Sequence, residues 1–451
     1  MRTVLINILY ICFACGIVHV QAQDSRLDQY IRQGMEDNLV IAQKNLSLQK
    51  AMNALDIARS MYLPNLTFDM TYTTANGGRA ILLPVGDMLN PVYNTLNQLT
   101  QSQLFPQIDN EKINFLPRNY YDARFRATMP LINTDIKHNK DINQKLVGMQ
   151  ETDLEIYKRE LVKDIKQAYY NYLSACDAVG VFQNSLQLAK EGKRVNQKLL
   201  DAGKGLHAYV VRADAEIAQV EAQLNEAEQQ RLNAQYYFNT LLNREALDPI
   251  DFGSNPHIDQ SLESSLGLSV DEREELDILA KQIDVQETVV KMNRQVFFPK
   301  LNAFVDAGSQ AENMRFDKES QYLMIGAQLT FPIFEGNRNR LKIKESQIAV
   351  AETQNQLTQV KQQLELAARV ARNEVVTTKK NYRSAKQQVE AADTYQRLIQ
   401  RGFNEGVNTY IETIDARAQF TSARLAENIA RYKWLAALAK LERETATYPL
   451  D

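Results

Sequence analysis

The side chains able to do chemistry are few and dispersed. Beyond residue 22 the histidines are His138, His207 and His257, and none pairs with another at metal-ligand spacing. Cys176 lies beside Ala175 on a helix-patterned stretch, with no histidine nearby to activate it. Gly203-Lys204-Gly205 lacks the pattern of a phosphate-cradling loop and reads as a turn. The chain therefore offers no catalytic residues, no metal site and no cofactor site, and reads as a non-enzyme. What remains is a pair of acids, Glu412 and Asp415, three residues apart and so on one helix face. In a first helical turn such acids also favour the helix dipole. Gathered from several copies around one axis, they would form a ring that attracts cations and repels anions.

The elements that must position this pair are duplicated. Met61-Tyr62-Leu63-Pro64-Asn65-Leu66 reads like Val296-Phe297-Phe298-Pro299-Lys300-Leu301. Ala127-Thr128-Met129-Pro130-Leu131-Ile132 reads like Leu329-Thr330-Phe331-Pro332-Ile333-Phe334. Gly205, Tyr209 and Asp214-Ala215 recur 201 positions later as Gly406, Tyr410 and Asp415-Ala416. Each copy has the order helix, strand, loop, strand and two very long helices, the signature of an internal repeat.

Residues 1–22 have the form of an export signal. Arg2 supplies the positive start, Val4 to Val18 the apolar core, and Val20-Gln21-Ala22 a small-residue cleavage site. An alternative makes Cys15 an acylated residue, although Cys12-Phe13-Ala14 is a poor lead-in to it. With the leader removed only Cys176 is left, so packing or assembly, not a disulfide, must hold the chain. The net charge of −3 becomes one unit more negative without Arg2, which argues against a nucleic-acid partner. No later stretch reaches the roughly 18 apolar residues of a membrane helix, so entry into a membrane would require β-strands.

Four segments alternate with period two. Leu66, Phe68, Met70 and Tyr72 share one face of the first, against Thr67, Asp69 and Thr71. Tyr121, Ala123, Phe125, Ala127 and Met129 oppose Asp122, Arg124, Arg126 and Thr128 in the second. Leu301, Ala303, Val305 and Ala307, then Leu323, Ile325, Ala327, Leu329 and Phe331, repeat the pattern. Each segment is about nine to ten residues, the length of a tilted membrane strand, and the charged face of the second suits a wet lumen. The smallest single-chain membrane barrels have about eight strands, so one chain cannot close its own. Two, three or four copies pooling strands would satisfy the count. The connection between the first two strands is long and contains the apolar run Ile81-Leu82-Leu83, placed to fold over a barrel mouth.

The remainder reads as two helical hairpins. Between Asn337 and Arg401 there is neither Gly nor Pro, and Leu206 to Asp248 and Val407 to Tyr448 are equally free of both. A span of about 70 residues would reach about 100 Å as a helix. Leu161, Ile165, Ala168, Tyr172, Ala175, Val179, Phe182, Leu186 and Ala189 step by fours and threes, as do Leu364, Ala368, Ala371, Val375, Thr378, Tyr382, Ala385, Val389 and Ala392. Such seams pack helices side by side with left-handed supercoiling, and the aromatic residues Tyr169, Tyr170, Tyr172, Tyr382 and Trp434 read as seam packing. The helices of each pair turn back at Gly203-Lys204-Gly205 and at Gly402 to Gly406. The expected organisation is a leader at 1–22, a first repeat at 23–245, a linker at 246–268 that packs with the termini, and a second repeat at 269–451. Strands are expected near 65–73, 121–129, 301–308 and 322–331, and hairpins near 134–245 and 337–445.

Taken in order, the duplicated elements, the strand-entry prolines Pro64 and Pro299, the strand-exit prolines Pro130 and Pro332, and the turn running from Gly402-Phe403-Asn404-Glu405-Gly406 to Ile414-Asp415-Ala416 resemble the TolC-like outer-membrane efflux channel family. The likeness covers the chain beyond the leader. It implies an all-α protein with a membrane β-barrel: a homotrimer whose twelve-stranded barrel continues into a twelve-helix periplasmic tunnel. It implies a passive exit duct for efflux or type I secretion, set in outer-membrane lipid. The implied partners are a periplasmic adaptor (membrane fusion protein) and an inner-membrane pump of RND, ABC or MFS type, docking at the hairpin tips around Gly203, Gly205, Gly402 and Gly406. By position, Asp415 and Glu412 match the acidic constriction of the family, and Arg431 matches an arginine that restrains the closed state. Phe403 stands where a tyrosine is usual, and Val210-Val211 replaces a Thr-Asp pair, which leaves open how this tip is held shut. The rival is a periplasmic coiled-coil adaptor or structural protein, which should have a single hairpin and compact β-domains instead of two hairpins interleaved with four strands.

Overall fold

The computed structural model describes residues 26–116, 118–251 and 269–450. The expected leader with Cys12 and Cys15, the linker from 252 to 268, and His257 lie outside the described residues. The chain divides into two compact units. One takes the described residues up to Ala51, Lys145–Asp284 and Val350 onward; the other is Met52–Gln144 with Val285–Ala349.

The second unit is built on a four-stranded antiparallel sheet of order β1-β4-β5-β6, with β1 at Asn65–Thr73, β4 at Tyr120–Ile132, β5 at Lys300–Glu312 and β6 at Gln321–Thr330. The period-two pattern explains the register: Phe68 lies opposite Phe125, with ring centroids 5.0 Å apart, and Val305 lies opposite Ile325 and Ala127. One face is apolar and open, with Leu66 68%, Phe68 57%, Leu323 68% and Ile325 74% exposed. The other face pairs its charges. Arg126 Nη2 donates to Asp306 Oδ2 at 2.6 Å, Arg124 to Asp122 at 3.1 Å, and the Tyr322 hydroxyl to Asp122 at 3.0 Å. Asp306 is fully buried.

Pro64 and Pro299 stand immediately before β1 and β5, where a missing N–H costs no ladder bond, and Pro332 follows β6. Pro130 was expected as the exit of its strand, but it lies inside β4, which continues to Ile132. A register shift between Pro130 and Ile132 accommodates the absent donor. His138 serves structure in this unit: its Nε2 lies 2.9 Å from Gln295 Oε1, and the residue is buried.

The long connection after β1 is not an open loop. It contains β2 (Ala80–Leu83) paired with β3 (Glu111–Asn114), and a helix α3 (Val85–Thr100) between them. Ile81-Leu82-Leu83 therefore forms a strand, opposite Ile113, Lys112 and Glu111.

The helical unit begins with α1 (Arg26–Asp37) and α2 (Leu39–Ser60), which break at Asn38 with neither Gly nor Pro at the break itself. The Asn38 side chain accepts from Val40 N at 2.9 Å, capping α2, and donates to Leu241 O at 2.9 Å. The corresponding element of the second repeat, α6 (Glu274–Arg294), is a single helix. The long helices are α4 (Thr134–Asp201), α5 (His207–Leu241), α7 (Arg338–Asn404) and α8 (Tyr410–Glu444). Along α4 and α8 the partners run in opposite senses: Lys166 with Glu442, Asp177 with Tyr432 and Ser185 with Thr421. Those helices are therefore antiparallel neighbours.

The core is assembled from Leu161, Ile165, Ala168 and Tyr172 of α4, Phe238 of α5, Ala371 and Val375 of α7, and Trp434, Leu435 and Leu438 of α8. Each fully buried aliphatic or aromatic side chain contributes about 1.5–3 kcal/mol. Trp434 stacks on Tyr382 at 5.7 Å. Around this core runs a belt of ion pairs. Arg443 reaches Glu160 at 3.0 Å and Glu275 at 2.6 Å, while Arg273 reaches Glu275 at 2.7 Å and Glu444 at 2.8 Å. The described start of the linker packs here too, with Ile250 buried and Asp251 N donating to the Tyr30 hydroxyl.

Candidate functional site

The two hairpin tips end in the same motif. In the first, Lys204 N donates to Leu199 O at 2.8 Å and Gly203 N to Leu200 O at 2.9 Å. In the second, Val407 N donates to Gly402 O at 2.8 Å and Gly406 N to Phe403 O at 3.1 Å. Gly203 and Gly406 supply the left-handed residue that this helix ending needs, with φ of 71° and 79°. Turn for turn, Gly203 therefore corresponds to Gly406, which corrects the pairing of Gly205 with Gly406 suggested by the repeat offset. Gly205 answers a different demand: a Cβ there would lie 2.6 Å from the backbone N of Leu200. At Gly402 a Cβ would collide with the Asn408 side chain.

The helices leaving the turns start differently. Leu206 gives α5 no side-chain cap. At α8, Thr409 and Glu412 form a capping box. Glu412 Oε2 accepts from Thr409 N at 2.6 Å and from Asn408 Nδ2 at 3.1 Å. The Thr409 backbone bond, and then the Asn408 amide, hold the Glu412 carboxyl below the usual range. Glu412 thus caps its own helix and still presents charge at the tip. Asp415 is exposed, a turn further along.

Beneath these acids lies a cluster that sequence reasoning missed. Tyr410 is 1% exposed and packs with Ala213 and Ile414 and, at the edge, with Tyr209 and Phe403. Its ring lies 5.7 Å from Tyr209 and 5.9 Å from Phe403. Phe403, expected as a closed-state restraint lacking a hydroxyl, contributes a ring face. Val210, of the replaced Thr-Asp pair, is buried, while Val211 is exposed. Arg417 of α8 lies 5.6 Å over the Tyr410 ring and forks onto Glu216 of α5, with Nη2 to Oε2 at 2.7 Å and Nε to Oε1 at 3.1 Å. The side chains of Arg417 and Glu216 are only 7% and 11% exposed. Gly192 of α4 makes room, since a Cβ there would meet the Tyr410 hydroxyl at 2.9 Å. Burial pushes the Tyr410 phenol up. The ion pair joins the two hairpins, and its residues are separated by the repeat offset of 201. Opposite charges at that offset were the available signal.

Arg431 is not brought into this cluster. Sixteen residues beyond Asp415, about 24 Å along a helix, it lies over the Tyr432 ring at 5.4 Å and lines a 390 Å³ cleft with Cys176, Asp177 and Phe420. Burial pushes the Cys176 thiol up, away from nucleophilic use. His207 is exposed at the start of α5. Among the described residues no His, Cys, Asp and Glu group is placed to hold a metal, and no helix is long and apolar enough to cross a membrane.

Known proteins share this fold. The chain is 22% identical over 335 residues to the alkaline protease secretion protein AprF of Pseudomonas aeruginosa, covering 71% of this chain and 68% of that protein. Its fold matches a membrane protein from Pseudomonas aeruginosa with a TM-score of 0.74 at 17% identity, covering 94% of each chain. It also matches the Campylobacter jejuni CmeC outer membrane channel with a TM-score of 0.71 at 15% identity, covering 94% of this chain and 86% of that one. The model of the outer membrane efflux protein family matches residues 31–244 and 267–446, both repeats in turn, and the chain belongs to that family.

Proposed function

We propose that the protein is the outer-membrane exit duct of a tripartite efflux or type I secretion system. It conducts substrate passively from a periplasmic adaptor and an inner-membrane pump to the exterior. The observation that carries this reading is the four-stranded sheet. Its edge strands β1 and β6 are open, and its apolar face is exposed from Leu66 to Ile325. In water that face would be a liability. In lipid it is the required surface, provided other copies cover the edges. Three copies would give twelve strands and, from α4, α5, α7 and α8, twelve long helices. The hairpin tips at Gly203, Gly205, Gly402 and Gly406 are then the docking ends, and Glu412 with Asp415 of three chains form the acidic constriction. Outer-membrane fractionation tests this: the protein should enter the outer-membrane fraction and run as a heat-sensitive trimer. A soluble monomer would overturn it and return the chain to the adaptor or structural reading.

The acidic ring has its own test. Single-channel recordings of the Glu412→Ala, Asp415→Ala variant should lose most of the cation preference, because the fixed charge at the narrowest point is gone. Unchanged preference and conductance would remove both residues from the pore. Arg431, away from the tip cluster, would restrain the closed state only through a neighbouring copy.

A further inference from the structure

Residues 74–116 form a built structure with one face left over. Helix α3 is bound to the returning segment by a ladder of amides. Asn90 exchanges two hydrogen bonds with the backbone of Ile108, both 2.9 Å, and Asn97 exchanges two with Phe105, at 2.7 and 3.0 Å. Asn94 accepts from Gln107 at 2.6 Å, and Tyr93 packs against Phe105 at 5.7 Å. At 3.6 residues per turn these positions occupy one side of α3, and Met88, Val92 and Leu99 fall on the opposite side. Those three are 70%, 52% and 76% exposed. An apolar stripe on a helix held this firmly implies something that covers it.

Two features choose the occupant. No charged residue occurs from 88 to 108, whereas helices that lie on a membrane surface carry Lys and Arg on their polar face. The element also hangs from β1, an open edge of the sheet. It leaves the sheet at the strand ends away from the connections to α4 and α7. There its base is tied to the β5–β6 turn, where Asn313 N donates to Asn119 O at 2.8 Å. We propose that the occupant is a second copy of this chain: α3 helices of neighbouring copies pack through Met88, Val92 and Leu99 and cap the outer mouth of the barrel. This rests on the trimeric channel reading and adds to it an outer closure made by the assembly.

Disulfide trapping in outer membranes tests the cap. In a Cys176→Ser background, Leu99→Cys should oxidise to a covalent dimer within the trimer. Its yield should be several-fold above that of Gln98→Cys, which is exposed on another face of the same helix. Equal or absent cross-linking at both sites, with the heat-sensitive trimer band intact, overturns the cap and leaves the channel reading standing. Absence of the trimer band overturns both. A fluorophore on Leu99→Cys that is quenched by spin-labelled lipid in proteoliposomes also overturns the cap, since the stripe would then lie in the leaflet.

Discussion

Arg417→Ala widens the tip: in planar bilayers its single-channel conductance should exceed that of the unaltered protein severalfold. The guanidinium forks onto Glu216 across the two hairpins, and both groups are nearly buried. Removing one member of such a pair strands the other and costs about 3–5 kcal/mol. Here the loss falls on the contact between α5 and α8. Hydrogen exchange of the first turns of those helices should accelerate about a hundredfold, the factor that corresponds to roughly 3 kcal/mol of local opening. Replacing both partners with apolar residues, Arg417→Met with Glu216→Leu, should restore much of the protection, because apolar packing leaves no buried charge unpaired. If the single variant kept the conductance and exchange of the parent, the ion pair would not fasten the tip.

Arg443→Ala should be the most destabilising change in the ion-pair belt. Arg443 reaches Glu160 on α4 and Glu275 on α6, and its own side chain is 7% exposed. Removal leaves those carboxylates to Lys163 and Arg273 and costs about 3 kcal/mol in resistance to denaturant. The belt also has a pH signature. Burial pushes the Glu275 carboxyl up, but hydrogen bonds from Arg273 and Arg443 outweigh it and hold the group down to about 2. A folded-state value below the unfolded one, near 4.5, stabilises above 4.5, and that stability drains away as the pH falls from 4.5 toward 2. Asp164, pushed up mainly by burial, offsets part of the loss. Denaturant midpoints at pH 7 and pH 3 should therefore differ less in Arg443→Ala than in the parent. An equal acid response in both would show that the belt does not depend on this arginine.

The strands were legible because period-two alternation is written residue by residue, from Leu66 to Tyr72 and from Leu323 to Leu329. The long helices were legible because none contains Pro and because apolar residues recur by threes and fours along α4 and α7. The break at Asn38 was not, since an asparagine that caps one helix looks like any other until its donor side finds Leu241 O. Nor was the course of β4 through Pro130, which depends on an extra residue of β4 between Pro130 and Ile132 where it pairs with β5. Asn90, Asn94 and Asn97 did carry a readable helical spacing, but the segment that they bind arrives from later in the chain. At the tip, the spacing of Glu412 and Asp415 was enough to place both on the exposed start of α8. Arg417 and Glu216 were missed because each looks like a solvated charge until two parallel helices bring them together.

Single-channel recording of the unaltered protein decides whether the chain builds a cation-preferring duct. The unaltered protein should give small, cation-preferring steps from a trimer whose tips are nearly closed, and larger steps once Arg417 is removed. A purified, folded protein that conducts nothing in the bilayer, or conducts with a preference for anions, would contradict it.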